Sequence, residues 1–322
     1  MNILICSAGR RVSLVNSFKR ELTTRLPDAK VFTSDARPEL AAACQISDRY
    51  FKVPSLSETD YIPRLIEICK NNDIKLLIPT IDTELRILAE HKKELEAEGI
   101  TPLVSDLEFI RMCHNKRLTH EFFKSIDILA AKEYSKDNYS LPLYIKPING
   151  SRGVDNFIIR EETDLNSYHF ENDNLIFLEY LDHDKFEEYT CDLYYDRKSS
   201  LRCVIPRKRV EVRDGEVNKG LTERNEIISM VREKLSTLPG VFGCINIQFF
   251  KHKETGAIYG IEINARFGGG YPLSYLAGGN YSGWIIDEYF LGKPIEDKFD
   301  VWEDQLLMLR YDNEILVHGY KS

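Results

Sequence analysis

The chain has 322 residues, of which 43% are hydrophobic and 29% are charged, and its formal net charge at pH 7 is −8. This length predicts about two or three domains, and the composition is that of a globular protein. The negative net charge argues against general binding to nucleic acid, because a basic excess is needed to neutralise phosphates. No apolar run approaches the roughly eighteen residues of a membrane span, and residues 1–11 lack the features of a signal peptide, so we expect no membrane partner.

The seven cysteines are scattered along the chain. None forms a CxxC pair, and none lies at zinc-binding spacing from a histidine. This usage is typical of buried thiols in a reducing compartment, and no neighbouring histidine or aspartate marks one of them as catalytic. We therefore expect a cytoplasmic protein whose cysteines are packing residues.

The first third of the chain alternates strand and helix signals. Strands are predicted over residues 2–7, 30–34 and 75–79, and helices over 11–26, 61–71 and 84–98. Repeated units of this kind predict a parallel sheet covered by helices, and ligands bind at the carboxyl ends of such strands. Those ends are residues 7–11, Asp35 and Asp82. Both aspartates could instead cap helices, and the loop 7–11 lacks two glycines of a dinucleotide-binding motif.

Residues beyond 105 mix helices and antiparallel strands. Helices are predicted over 106–125, 222–238 and 280–291, and strands over 143–146, 156–160, 175–180, 188–195 and 201–206. A polar turn at 196–200 joins the last two strands as an antiparallel pair. No internal repeat interrupts this half of the chain, which we expect to be an α+β region.

Two further strands carry the most informative polar residues. Residues 245–249 and 261–266 are separated by a short connection that contains Gly256, which predicts a hairpin. Because side chains alternate along a strand, Glu262, Asn264 and Arg266 share one face, with Gln248 on the polar face of the partner strand. A sparse set of hard oxygen ligands suits Mg²⁺. The alternative interpretation is a solvated polar face that ends at an arginine.

A glycine-rich loop follows the predicted strand that ends at Lys146. Its residues are Gly150, Ser151, Arg152 and Gly153. Glycines allow the backbone to approach a ligand closely, exposed N–H groups can hold phosphate oxygens, and Lys146 adds a point charge for the same anion. The sequence is not a P-loop, because GxxxxGK[ST] is absent. A flexible hairpin beside a solvated lysine is the alternative.

The apolar strand that ends at Glu179, Tyr180 and Leu181 offers backbone groups to a flat base, with apolar neighbours to stack on its faces. Glu188 begins the next strand and could accept hydrogen bonds from ribose hydroxyls, although an exposed acid at a strand start is the commoner explanation. Further basic candidates for an anion are Lys116, Arg207 and Arg209. Each of these alone is more often a surface charge.

Taken in order, these segments resemble the ATP-grasp superfamily, and within it the carbamoyl-phosphate-synthase-like branch. The matching segments are residues 115–119, 145–147 with 150–154, 179–181, 188–192, 245–249 and 261–266. The resemblance covers about residues 1–290. It implies an α/β plus α+β fold: a Rossmann-like pre-ATP-grasp domain (1–105) precedes a two-lobed ATP-grasp fold, whose N-lobe is 106–181 and whose C-lobe, with the metal site, is 182–322.

The resemblance also implies roles for individual residues at the nucleotide. Lys116 and Lys146 would hold the α- and β-phosphates, and the loop 150–153 would close over the β- and γ-phosphates. The segment Glu179, Tyr180 and Leu181 would bind adenine through backbone groups of its first and last residues, and Glu188 would bind the ribose.

At the reacting end, the family pattern implies that Gln248, Glu262 and Asn264 hold a pair of Mg²⁺ ions, with Mn²⁺ as an alternative ion. Arg266 would stabilise the transferring phosphoryl group or an acyl phosphate. Arg207 and Arg209 on one side of these strands in the sequence, and the loop 268–270 on the other, are expected to bind the substrate carboxylate or the acyl phosphate. Phosphoryl transfer depends mainly on positioning and charge neutralisation, which this residue set is suited to supply.

The function that the resemblance implies is an ADP-forming ligase, which joins a small-molecule carboxylate to an amine or thiol through an acyl phosphate. Large carbamoyl-phosphate synthases of the same branch carry two ATP-grasp halves, whereas this chain has one. An alternative is therefore one subunit of a split synthetase that phosphorylates bicarbonate or carbamate. An ATP-binding sensor or scaffold without turnover is the non-enzymatic alternative. The family is compatible with a homodimer.

Overall fold

A computed structural model describes residues 1–150, 155–213 and 215–320. The first part of the chain forms a sheet covered by helices. Its elements are β1 (Asn2–Cys6), α1 (Val12–Arg25), β2 (Val31–Asp35), α2 (Ala42–Gln45), β3 (Arg49–Lys52), α3 (Tyr61–Asn71), β4 (Ile74–Pro79), α4 (Asp82–Glu90), α5 (Lys92–Ala97) and β5 (Thr101–Pro102). The strands are parallel and lie in the order β3-β2-β1-β4-β5, which confirms the predicted sheet.

This strand order creates a switch point between β1 and β4. The chain leaves β1 toward β2 and β3, and then crosses back to β4 on the other side. Connections on opposite sides of a sheet leave a crevice at the carboxyl ends of the two strands where they diverge. The loop after β1 and the segment between β4 and α4 border that crevice.

A second unit contains two helices and a small antiparallel sheet. Its elements are α6 (Leu107–His114), α7 (Lys116–Ser125), β6 (Glu133–Tyr134), β7 (Leu143–Pro147), β8 (Phe157–Ile159), α8 (Ser167–Glu171) and β9 (Leu175–Glu179). The strand order is β6-β9-β7-β8, and Lys146 near the end of β7 faces Ile176 of β9. This sheet therefore carries Lys146 on a central strand.

The remaining elements build a six-stranded sheet. They are β10 (Phe186–Tyr195), β11 (Leu201–Arg213), β12 (Glu216–Thr222), α9 (Glu226–Lys234), β13 (Gly243–His252), β14 (Ile258–Asn264), α10 (Tyr271–Leu276), α11 (Tyr281–Tyr289) and β15 (Leu307–Leu309). The order is β14-β13-β10-β11-β12-β15, and every pairing is antiparallel. The hairpin β13–β14 thus forms one edge of the sheet.

Three helix predictions were wrong in extent. The helix predicted over 84–98 is two helices that meet at His91, and the one over 106–125 breaks at Asn115. The Asn115 side chain accepts hydrogen bonds from the N–H groups of Arg117 and Leu118, so it caps α7 and places Lys116 at the first helical position. The helix predicted over 222–238 instead begins at Glu226, because residues 216–222 pair as a strand with β11.

The first domain packs against the six-stranded sheet through a shared apolar core. The ring of Phe18 in α1 meets that of Phe267 edge-on, with 6.0 Å between centroids. Nearby, Arg25 Nε donates to Asp287 Oδ2 of α11 at 3.2 Å. These contacts fix the crevice at β1 and β4 against the segment that follows β14. Within the described ranges, every helix is too short or too polar to cross a bilayer.

Candidate active site

The two polar strands pair as predicted. In the register of β13 and β14, Gln248 lies opposite Glu262, and Asn246 lies opposite Asn264. Ile247 and Ile263 lie in the hydrophobic core behind them. Asn246 is itself almost fully buried, and its amide donates to the backbone carbonyl of Arg266 at 3.0 Å. Asn246 therefore holds the end of the hairpin together, and the side chains left on the open face are Gln248, Glu262 and Asn264.

These three side chains retain capacity to bind a ligand. Asn264 Nδ2 donates to the Glu262 carboxylate at 3.0 Å, and in the described part of the chain Glu262 accepts no other hydrogen bond. The Gln248 amide makes no side-chain hydrogen bond to any described residue. The set offers one carboxylate and two amide oxygens, which fits Mg²⁺ when phosphate oxygens supply the remaining charge and ligands. The described residues contain no group of three or more His, Cys, Asp or Glu that could hold a metal ion.

Two lysines approach this face from the four-stranded sheet and from α7. Lys146 is only 5% exposed, and no described residue accepts a hydrogen bond from its ammonium group. Burial lowers the pKa of Lys146 to about 8, Glu262 acts in the opposite direction, and repulsion from Lys116 adds to the lowering. Burial also lowers the pKa of Lys116, again against the attraction of Glu262. The site thus places two lysines, without a carboxylate ion-pair partner among the described residues, opposite the oxygen atoms of Gln248, Glu262 and Asn264.

Of the glycine-rich loop, the structure describes only the first residue, Gly150. Lys116 Nζ donates to the carbonyl oxygen of Gly150 at 2.9 Å, and Gly150 adopts a positive φ of 148°. The hydrogen bond joins α7 to the start of the predicted loop. Ser151, Arg152 and Gly153 lie outside the described residues, so their phosphate-binding role stays a prediction.

The segment predicted to bind adenine lies at the end of β9, beside a small apolar cluster. The backbone N–H of Glu179 donates to the carbonyl of Lys132 at 2.8 Å, so this group is already used. The N–H of Leu181 has no partner in the described chain, and its side chain packs with Ile176 and Leu178. Leu181 therefore remains able to donate a hydrogen bond next to an apolar surface, with Tyr180 between the two residues.

Glu188 and Arg209 form one ion pair. Arg209 Nε lies 3.0 Å from Glu188 Oε1, and Arg209 also donates to the carbonyl of Gly215 at 3.1 Å. Burial raises the pKa of the Glu188 carboxyl group, and the charge of Arg209 opposes that shift. Both side chains line an open cleft of about 600 Å³ together with His183 and Phe186. Arg209 thus lies beside Glu188, the residue predicted to bind the ribose.

One row of residues crosses the sheet from the hairpin to β11. It consists of Glu262, Gln248, Thr190 and Arg207, each directly opposite the next. Residues opposite each other share a face, so Arg207 lies on the same face as the oxygen ligands. It is nevertheless two strands away from Gln248, which is about 10 Å at ordinary strand spacing. The Thr190 hydroxyl between them is buried and has no partner in the described residues.

Arg207 is buried rather than open to the site. It is 1% exposed and makes two hydrogen bonds to Asp192, Nε–Oδ2 at 2.8 Å and Nη2–Oδ1 at 3.0 Å. Its remaining nitrogen, Nη1, has no partner in the described chain and lies against Gly270. This geometry favours a positioning role, in which Arg207 supports the loop 268–270. The catalytic role predicted for Arg207 stays a prediction.

We expect Gly270→Ala to destabilise the protein by roughly 1–3 kcal/mol, the usual cost of overpacking a filled core. A Cβ at this position would lie 2.1 Å from Arg207 Nη1 and 2.8 Å from Val217 Cγ1, and Arg207 cannot withdraw without breaking its pair with Asp192. Urea unfolding measures the loss. In the control Gly268→Ala the nearest contact is 3.1 Å, to the Asn246 amide. Equal stability of the two variants would contradict the close approach.

Arg266 joins the hairpin β13–β14, whose side chains are predicted to bind metal, to the first domain. Its guanidinium binds Asp82 in two places, Nη2–Oδ2 at 2.7 Å and Nε–Oδ1 at 3.1 Å, and also donates to Asn264 Oδ1 at 3.2 Å. Asp82 is the first residue of α4, and the cap position belongs to Ile81, so the capping interpretation of Asp82 was wrong. Asp35 accepts from the N–H of Gly9 at 3.1 Å and thereby holds the loop after β1.

Sequence reasoning gave no separate role to Asp192 and Thr190, although both lie in the matching segment 188–192. The available signal was the alternation of Glu188, Thr190 and Asp192 with Tyr189, Cys191 and Leu193 along the strand. Asp192 accepts from Ser274 Oγ at 2.6 Å in addition to Arg207. It therefore anchors both β11 and α10 beneath the site.

Comparisons with known proteins agree with the observed fold. Residues 3–103 match the family model described as PylC-like, N-terminal domain, and residues 171–309 match the model described as ATP-grasp in the biosynthetic pathway with Ter operon. A carbamoyl-phosphate synthase from Methanobrevibacter smithii is 25% identical over an alignment of 306 residues that covers 88% of this chain and 80% of that protein.

Two solved structures show the same fold at low identity. The biotin carboxylase domain dimer of Hydrogenobacter thermophilus 2-oxoglutarate carboxylase, in complex with MgADP, ADP and bicarbonate, has a TM-score of 0.71 and 13% identity, over 95% of this chain and 73% of that chain. The L-amino acid ligase of Bacillus licheniformis has a TM-score of 0.67 and 16% identity, over 92% and 75% of the respective chains. These matches show that the chain is an enzyme with an ATP-grasp fold, and that it is similar to the carbamoyl-phosphate-synthase-like branch that its motifs predict.

Proposed function

We propose that the protein is an ATP-dependent ligase that activates a carboxylate as an acyl phosphate and transfers the acyl group to an amine or thiol, with release of ADP and phosphate. The observation that carries the proposal is the convergence of Lys146 and Lys116 on the face formed by Gln248, Glu262 and Asn264. Unpaired cations opposite unfilled oxygen ligands are what a metal-bound polyphosphate requires.

Each residue has a defined task in this proposal. ATP with Mg²⁺ would supply the activated phosphoryl group, and Gln248, Glu262 and Asn264 would hold the metal. Lys146 and Lys116 would neutralise phosphate oxygens. A buried ammonium group without an ion-pair partner is unfavourable, so a phosphate bound at Lys146 would offset this cost.

The base and the ribose have matching positions at the other end. The N–H of Leu181 would donate to the adenine edge, and the apolar cluster around it would cover the ring. Glu188 would accept from the ribose hydroxyls, with Arg209 keeping the carboxylate charged. The substrate carboxylate would lie beyond the metal strands, where Arg266 is fixed by Asp82.

Similarity to a carbamoyl-phosphate synthase supports one alternative, a subunit of a split synthetase that phosphorylates bicarbonate or carbamate. A sensor or scaffold without turnover is less well supported, because it would not need the complete set of metal ligands and the phosphate-facing lysines. The dimer named for the biotin carboxylase domain supports a homodimer for this chain, which light scattering would test.

The test is an ADP-release assay with MgATP and a panel of carboxylates, each with and without an amine, alongside a thermal shift with MgADP. We expect MgADP to raise the melting temperature, and ADP release to depend on an added organic carboxylate. Release that depends on bicarbonate alone would favour the split synthetase. A rise in melting temperature with MgADP, but no ADP release with any carboxylate, would favour the sensor. No rise in melting temperature with MgADP would overturn the nucleotide site.

A further inference from the structure

Four arginines gather where the crevice between β1 and β4 meets the segment after β14. We call them the arginine cluster, and they are Arg11, Arg207, Arg266 and Arg310. Arg310 Nη2 donates to the carbonyl of Gly269 at 2.5 Å, and Nη1 donates to Glu216 at 3.0 Å. The charges of Arg266 and Arg310 both act on Arg11, which places it in the same group. So dense a group of cations needs anions to balance it.

Carboxylate side chains form ion pairs with three of the four arginines. Asp82 binds Arg266, Asp192 binds Arg207, and Glu216 binds Arg310. Arg11 differs from the other three because no carboxylate in the described residues lies within ion-pair distance. In the described residues its guanidinium makes one hydrogen bond, which is long: 3.4 Å from Nη2 to the carbonyl oxygen of Thr80. Arg11 is therefore the surplus cation of the cluster.

The surroundings of Arg11 make this surplus charge unfavourable. Burial lowers the pKa of the Arg11 guanidinium to about 10, and repulsion from Arg266 adds to the effect, while Glu216 and Asp82 oppose it. Arg11 also directly precedes α1, which has no acidic residue in its first turn and no side-chain cap. A cation at the positive end of a helix is destabilising. An anion bound beside Arg11 would relieve both effects.

The crevice leads from Arg11 to the metal strands. Arg11 contacts Thr80, at the end of β4, and Asp82 lies two residues further along the chain. Asp82 binds Arg266, which in turn binds Asn264 of the metal set. A small molecule in the crevice could therefore place one end at Arg11 and the other at the metal strands. The carboxyl edge of a parallel sheet at its switch point is where such ligands bind.

We propose that Arg11 binds an anionic group of the substrate at this junction, so that the preferred carboxylate substrate carries a second acid. One carboxylate is activated at the metal strands, and the second group, a carboxylate or a phosphate, is held by Arg11. This inference rests on the proposed function, because it names the substrate class of that site. Arg11 is then a specificity-determining residue, while Arg266 stays with the reacting group.

A binding test does not depend on turnover. Succinate and inorganic phosphate are titrated separately into the wild-type protein and into Arg11→Gln, with melting temperature as the readout, with and without MgADP. We expect at least one anion to raise the melting temperature of the wild type by roughly 1–3 °C and to have no effect on Arg11→Gln. The anion that works distinguishes a second carboxylate from a phosphate. Equal shifts in both proteins, or no shift in the wild type, would overturn the site.

Arg10→Gln is the matched control. Arg10 is the neighbouring arginine in the same loop, its side chain is 81% exposed, and its one ion pair, to Glu216, is long at 3.9 Å. It should respond to the anions like the wild type. Loss of the shift in this variant as well would show that general loop charge, rather than Arg11, is responsible.

An activity test then asks which substrates depend on Arg11. ADP release is compared for aspartate against asparagine and for glutamate against glutamine, which differ only in the second acid. We expect the diacids to be preferred, and Arg11→Gln to lower their kcat/KM by roughly 10- to 100-fold, mainly through KM. Arg11→Lys should recover part of the loss. Preference for the amides, or an unchanged KM in Arg11→Gln, would overturn the proposal. Absence of both MgADP stabilisation and ADP release would instead refute the proposed function, and the anion titration would still decide the role of Arg11.

Discussion

Glu262→Gln is expected to lower carboxylate-dependent ADP formation by at least roughly 10²- to 10³-fold, with the free energy of unfolding almost unchanged. Glu262 is the only carboxylate in the predicted metal set, so the substitution removes the negative charge that would hold the cations. The fold should tolerate the change, because Glu262 is half-buried and accepts one hydrogen bond, from Asn264, which an amide oxygen can also accept. A coupled ADP assay and urea unfolding measure the two quantities.

Glu254→Gln is the control for this variant. Glu254 lies in the exposed turn of the same hairpin, between β13 and β14. Its substitution therefore removes the same negative charge from the same hairpin. It should keep wild-type turnover and stability. Wild-type turnover in Glu262→Gln would contradict the metal role. A large loss of stability in that variant would show that Glu262 is needed for folding, and the loss of activity would then carry no information about the metal.

The site residues that sequence predicted best are those governed by local periodicity. The alternation of polar and apolar residues in 245–249 and 261–266 buries the isoleucines on one face and leaves Gln248 and Glu262 on the other, and the hairpin pairs these two residues directly. The βα units of the first domain are predictable for the same reason, since each strand and helix buries its own apolar face.

Contacts between segments that are distant in the sequence could not be predicted from local periodicity. Asp82 and Arg266 are 184 positions apart, and only the docking of the first domain on the six-stranded sheet brings them together. The burial of Arg207 likewise depends on the loop 268–270 and on Asp192 from another strand. Strand β12 was missed because its alternation is weak, and its partner β11 supplies the pairing.

Lys146→Met is expected to make the protein more stable but nearly inactive. Methionine fills a similar volume without a buried charge, so the variant should gain stability at pH 7 on the order of 3 kcal/mol, from the lowered pKa of Lys146. ADP formation should fall by roughly 10²-fold, because a phosphate neutraliser is lost. A residue with a purely structural role would lose stability on substitution, so a gain combined with inactivity identifies a functional lysine.

The pH dependence of this gain follows from the direction of the shift. Below pH 8 the folded and unfolded chains both carry the proton on Lys146, and the folded wild type bears the full cost of burying the charge. Between about pH 8 and the ordinary pKa of 10.5 only the unfolded chain keeps the proton, so the wild type gains stability as pH rises. The advantage of Lys146→Met should therefore shrink across this window. Urea unfolding at pH 7, 8, 9 and 10 measures it, with the exposed Lys124→Met as control. A constant advantage at every pH, or an equal one in Lys124→Met, would contradict the assignment of the buried charge to Lys146.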